Sequence, residues 1–122
     1  MKNKQDEEVF VSSGNVYEDL GYDNPQEEMA KAELAILIAD LIKQQKLTQK
    51  QAAELMGIDQ PKVSAIIRGR LSGFAIDRLF RFLLALGMDI VIEARPHIRK
   101  APPTPPGIYV VPQNIHQRRV AV

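Results

Sequence analysis

Residues 48–68, TQKQAAELMGIDQPKVSAIIR, constrain the fold more than any other stretch of the chain. Thr48 and Gln51 form a capping box that opens a short helix, and Gly57 ends it at Met56 with a left-handed turn. Asp59 caps a second helix, with Pro61 in the first turn, where its missing amide hydrogen has no intrahelical partner to lose. Ala53 is small enough for the two helices to cross, and Val63, Ile66 and Ile67 supply the packing face. Two short helices at this spacing form a helix-turn-helix, whose second helix enters the DNA major groove.

A recognition helix needs short polar side chains near its N-terminus, on the face turned away from the core, because only those approach base edges. Gln60 can bond an adenine edge bidentately, Lys62 and Ser64 reach a base or a phosphate, and Arg68 suits the backbone. Gln49, at the start of the preceding helix, has an amide suited to a phosphate or to bracing Gln60; Lys50 and Arg70 complete the candidate DNA-binding set. The competing reading of each polar residue is a solvated position. Ala53, Gly57, Val63 and Ile66 are structural, carrying the motif without touching DNA.

Ahead of this motif, Asn24-Pro25-Gln26-Glu27 signals a helix start, with Asn as cap, Pro in the first helical position and Glu reaching back to the cap amide. Leu34, Leu37, Ile38, Leu41 and Ile42 then recur at three- and four-residue steps, so a helix is expected over residues 25–45. After the motif, Gly69 suits a helix C-terminus. The run Phe74, Ile76, Leu79, Phe80, Leu83, Leu84 has helical period and stops at Gly87. Its stripe at Leu79, Phe80, Leu83 and Leu84 reads as core or dimer surface. Residues 89–95, DIVIEAR, are β-branched and too short for a helix, which makes them a strand. A lone strand leaves its backbone groups unpaired, so it needs a neighbour: the same strand of a second chain, residues 9–11 or residues 108–111. Self-pairing through Ile90, Val91 and Ile92 is favoured, because it gives a two-fold dimer able to read two half-sites.

Composition agrees with one small domain and two tails: 122 residues, 45% of them hydrophobic, leave little room for a second core. The net charge of +1 conceals an asymmetry, −6 over residues 1–33, +3 over 34–71 and +4 over 72–122. An acidic arm on a basic body suggests one basic and one anionic partner, solvated charge being the alternative. Residues 1–23 form that arm, loose when alone, with Val16, Tyr17, Leu20 and Tyr22 among the few side chains able to dock on a partner. Residues 96–122 form a tail with five prolines within residues 96–106, extended and in its remainder disordered. Arg99, Lys100, Arg118 and Arg119 there read as solvated charge ahead of phosphate contacts.

Cysteine is absent, which removes disulfides, thiolate metal sites and thiol nucleophiles and fits a reducing cytoplasm. His97 and His116 both lie in the tail, and no phosphate-loop or dinucleotide fingerprint or general acid-base carboxylate pair is visible. The expectation is a cytoplasmic protein, not an enzyme, without cofactor or metal and without a membrane span.

Residues 47–69, LTQKQAAELMGIDQPKVSAIIRG, resemble the lambda-repressor-like, or Cro-type, helix-turn-helix domains, in which Gln often opens both the second and the third helix, as Gln49 and Gln60 do here. Together with GNVYEDLG, KAELAILI and FAIDRLFRFLLALGMDIVI, the sequence over residues 13–93 resembles the HigA-like antitoxins of bacterial toxin-antitoxin pairs. The resemblance implies a mainly α fold of four to five helices with a short C-terminal β-strand, the domain spanning residues 24–95 and its dimerisation strand 89–94. It further implies a homodimer on double-stranded operator DNA that represses its own operon. A HigB-like, RelE-type toxin that cleaves messenger RNA would be bound through Val16, Tyr17, Leu20 and Tyr22. Ala75 departs from the pattern, standing where relatives place a hydroxyl residue as a helix cap, and the tail after Arg95 matches no family. Stand-alone regulators of the same type, and a protein-interaction module with weak DNA binding, are the alternatives.

Overall fold

Helix formation follows the local signals closely. The structure, a computed structural model, describes residues 20–21, 24–98 and 105–111. Among these residues the fold is mainly α, with four helices: α1 (Pro25–Gln44), α2 (Gln49–Met56), α3 (Gln60–Ile67) and α4 (Ile76–Ala85). Helix α1 packs against α3 and α4, and α2 against the same two, so one core lies between all four. Its largest fully enclosed side chains are Ile38, Val63, Ile66 and Leu79; sequestering each contributes about 1.5–3 kcal/mol.

The periodic residues of α1 go where their spacing sends them. Leu34, Ile38, Leu41 and Ile42 are buried and Leu37 is half-buried, joined by Ala30, Ala35 and the stem of Lys31. The start of α1 differs from expectation. Asn24 sits at ψ 70°, whereas Thr48 and Asp59, which do cap, have ψ of 162° and 163°. Only the extended setting aims a side-chain oxygen at the first-turn amides. Asn24 makes no such bond and offers its carbonyl to the Glu28 amide instead, at 3.0 Å.

All four helices end in the same hydrogen-bond pattern. The amides of Leu47, Ile58, Arg70 and Met88 donate to the carbonyls of Ile42, Ala53, Ala65 and Leu83, five residues back, at 2.8–3.1 Å. The left-handed residue this requires is glycine at positions 57, 69 and 87, but Lys46 at the end of α1, with φ 57°. Gln45 also spans the domain, its Nε2 donating to the Leu86 carbonyl at 2.7 Å and tying the end of α1 to the end of α4.

Two packing expectations need correction. Ile67, assigned to the packing face of α3, is 39% exposed. At about 100° per residue it stands beyond Val63 on the side that leads to Gln60, at the rim of the buried stripe. In α4 the helix begins at Ile76, and the buried set is Leu79, Phe82 and Leu83, followed by Leu86; Phe80 is half-buried and Leu84 is 54% exposed. Phe82 turns inward because Phe74, buried just ahead of the helix, meets it edge-on at 5.9 Å. Ala75 leaves α4 without a side-chain cap, as its chemistry dictates.

Beyond α4, residues 88–98 form no ladder with any described part of the chain, residues 108–111 included. Ile90 is half-buried against the core, whereas Val91 and Ile92 are 89% and 77% exposed. Residues 105–111 return to the domain as neither helix nor strand: Val110 packs against the core, and a Cβ on Gly107 would meet Gln26 Oε1 at 2.7 Å.

Candidate nucleic-acid interface

The motif that orders the sequence is built by reciprocal local bonds. Thr48 Oγ1 accepts from the Gln51 amide at 3.0 Å, and Gln51 Oε1 accepts from the Thr48 amide at 2.8 Å. Gly57, at φ 72°, then reverses the chain, its amide and that of Ile58 both donating to the Ala53 carbonyl. Asp59 Oδ1 accepts from the Lys62 amide at 3.0 Å and fixes the start of α3. Ala52, Ala53 and Met56 of α2 and Val63 and Ile66 of α3 are buried where the helices meet. The outer face of α3 is thereby locked in orientation.

On that face Gln60 occupies the first helical position and is exposed, Ser64 is half-buried one turn on, and Arg68 is exposed at the C-cap. Steps of four residues align these three along one strip of the helix. Lys62 does not join them. Two residues from Gln60 it is turned by about 200°, so it borders the opposite edge of the exposed face, where its Nζ lies 3.5 Å from Asp59 Oδ2. That pair is half-exposed on both sides and weak, within about 0–1 kcal/mol, so the ammonium is readily exchanged to another anion. Gln49 opens α2 half-buried, and Lys50 and Arg70 are exposed at the flanks.

The remaining candidates divide. Leu20 is 68% exposed, while Val16, Tyr17 and Tyr22 lie outside the described residues, as do Arg99, Lys100, Arg118 and Arg119. Of the dimerisation residues, Val91 and Ile92 are exposed and Ile90 faces the core of its own chain. Sequence reasoning missed Arg78 and Arg81, which line a groove with the motif's turn. Their four-residue register with Asp77 and Phe82 carries no signal of its own; only tertiary packing brings Met56 and Ile58 beside them. No helix among the described residues is long and apolar enough to cross a membrane.

A family model described as a helix-turn-helix domain matches residues 16–95. The solved structure of a "Putative XRE Family Transcriptional Regulator" is 36% identical, with a TM-score of 0.65, over 72% of this chain and 97% of that one. The chain belongs to the XRE-type helix-turn-helix family. None of the curated proteins matches it. Membership in the XRE-type family covers the four-helix core and the motif. The match of the family model ends at Arg95, ahead of the Pro-rich tail.

Proposed function

We propose that the chain is a sequence-specific DNA-binding repressor that acts as the antitoxin of a toxin-antitoxin pair. Family membership carries the coarser part, DNA-binding regulation of transcription. The observation that supports direct readout is the strip of Gln60, Ser64 and Arg68 on a helix whose start and crossing are fixed by caps. A preset amide near the N-terminus of that helix suits an adenine edge, and the arginine behind it suits a phosphate. In this reading Gln49 and Lys50 hold the backbone at the start of α2, and Lys62 and Arg70 hold it on either side of the strip. Binding as a homodimer through residues 90–92 sets the distance between half-sites.

The antitoxin part rests on the resemblance of residues 13–93 to HigA-like proteins and on the acidic arm, whose charge suits a basic, RNA-cleaving toxin of the RelE type. Val16, Tyr17, Leu20 and Tyr22 are the proposed contacts, and autorepression in the cytoplasm is the proposed setting. The second reading is a stand-alone regulator, favoured by the solved relative, whose name speaks only of transcription.

Gel shifts with the chain's own upstream DNA test the repressor reading: Gln60→Ala together with Lys62→Ala weakens binding and relaxes sequence preference, and unaltered preference refutes the assignment of α3. Coexpression with the product of a neighbouring toxin reading frame tests the antitoxin reading. Deleting residues 1–21 removes neutralisation and spares operator binding; full neutralisation by the truncated chain contradicts it.

A further inference from the structure

We propose that residues 6–11 of the arm, DEEVFV, dock in the groove between the turn of the helix-turn-helix and α4. The groove is open and shallow, about 470 Å³ in volume, and is lined by Met56, Ile58 and Phe82 together with Arg78 and Arg81. Arg78 lies 5.2 Å from the Phe74 ring centre and 5.6 Å from that of Phe82. Rings so placed hold a guanidinium by cation–π attraction and leave its N–H edge for a carboxylate. No salt bridge among the described residues engages Arg78 or Arg81, although Asp77 lines the same groove. The site therefore pairs an apolar lining with net positive charge.

Charge and reach select the occupant. Before Asn24 the chain carries Asp6, Glu7, Glu8, Glu18, Asp19 and Asp23 against Lys2 and Lys4, and only residues 6–11 join a run of three acids to a run of three apolar side chains. In that order the carboxylates meet Arg78 and Arg81 while Phe10 covers Ile58. The fourteen or so residues between Phe10 and Asn24 span up to roughly 45 Å when extended, beyond the roughly 25–30 Å breadth of a domain this size. A nucleic-acid phosphate, the other anion at hand, has no use for the apolar lining. The arm of the free chain is then weakly docked and not merely loose. Given the DNA-binding reading above, its three carboxylates also lie beside the turn that leads into Gln60 and oppose the approach of phosphates.

Because the chain has no cysteine, Ser12→Cys provides a single thiol for a nitroxide on the full-length, isotope-enriched protein. The amides of Gly57, Ile58 and Arg78 are expected to lose most of their intensity while the other amides of the domain keep theirs. Arg81→Glu, at an exposed position, restores the lost signals, and Arg81→Lys does not; amide shifts elsewhere report that the fold is retained. Uniform broadening, or broadening unchanged by Arg81→Glu, overturns the docking. If Arg81→Glu leaves the broadening unchanged and instead weakens DNA binding with a shallower salt dependence, Arg81 is a phosphate contact and the docking is refuted. The broadening is read without DNA, so its failure is separable from failure of the repressor reading.

Discussion

Lys46 holds a left-handed backbone, φ 57°, where the other three helix ends use glycine. The side chain's Cβ makes that conformation unfavourable by roughly 1–2 kcal/mol, partly offset because glycine would be more disordered in the unfolded chain. Lys46→Gly is therefore expected to raise stability by about 0.5–1 kcal/mol, seen as a higher denaturant midpoint at unchanged slope. The residues of α3 separate by role at the same scale. Gln60→Ala is expected to lose about 1–3 kcal/mol of discrimination at one base pair with thermal stability unchanged, since Gln60 is exposed and outside the core. Lys62→Ala, on the opposite edge and already facing Asp59, is expected to weaken binding nearly equally for all sequences and to reduce the salt slope by about one. Filter binding of a panel of single-base operator variants at several salt concentrations distinguishes the two. A larger loss of sequence preference for Lys62→Ala than for Gln60→Ala would reverse their assignment.

At the scale of elements, legibility tracked how local the determining interaction is. Helices α2 and α3 were readable because their caps, Thr48, Gly57 and Asp59, act within five residues of themselves. Thr48→Ala and Asp59→Ala are each expected to cost about 1 kcal/mol, measured by chemical denaturation, whereas Asn24→Ala, lacking a side-chain bond to lose, should fall within about 0.5 kcal/mol of the parent. The register of α4 was readable only in part. Its apolar residues 79, 80, 82, 83 and 84 spread over about 200° of the helix surface, wider than the face it buries, so periodicity alone does not choose between Phe80 and Phe82. Phe74 and the neighbouring α1 and α2 choose. The same reason hid the groove of Arg78 and Arg81, which exists only because α4 lies against the end of α2.

For the whole molecule, residues 89–95 carry the proposed dimer contact. Residues 90–92 form no ladder with any described part of their own chain, and Val91 and Ile92 present apolar side chains to solvent, a liability that a second copy would remove. Val91→Pro deletes one ladder donor and is expected to give monomers in sedimentation with the helical core intact by circular dichroism; a persistent dimer would place the interface at the exposed face of α4, where Leu84 stands. The residues outside the core were read by composition, and residues 105–111 show the limit of that method: nothing in a run of prolines and β-branched residues announces that Val110 will rest on the core or that the backbone at Gly107 will pass Gln26. By itself the sequence determined α2 and α3 and the motif they form, because capping, helical period and a left-handed glycine act over a few residues. Tertiary structure decided which face of α4 is buried and which arginines share a groove with the turn. These depend on how helices distant in sequence pack, and no local pattern of residues encodes that.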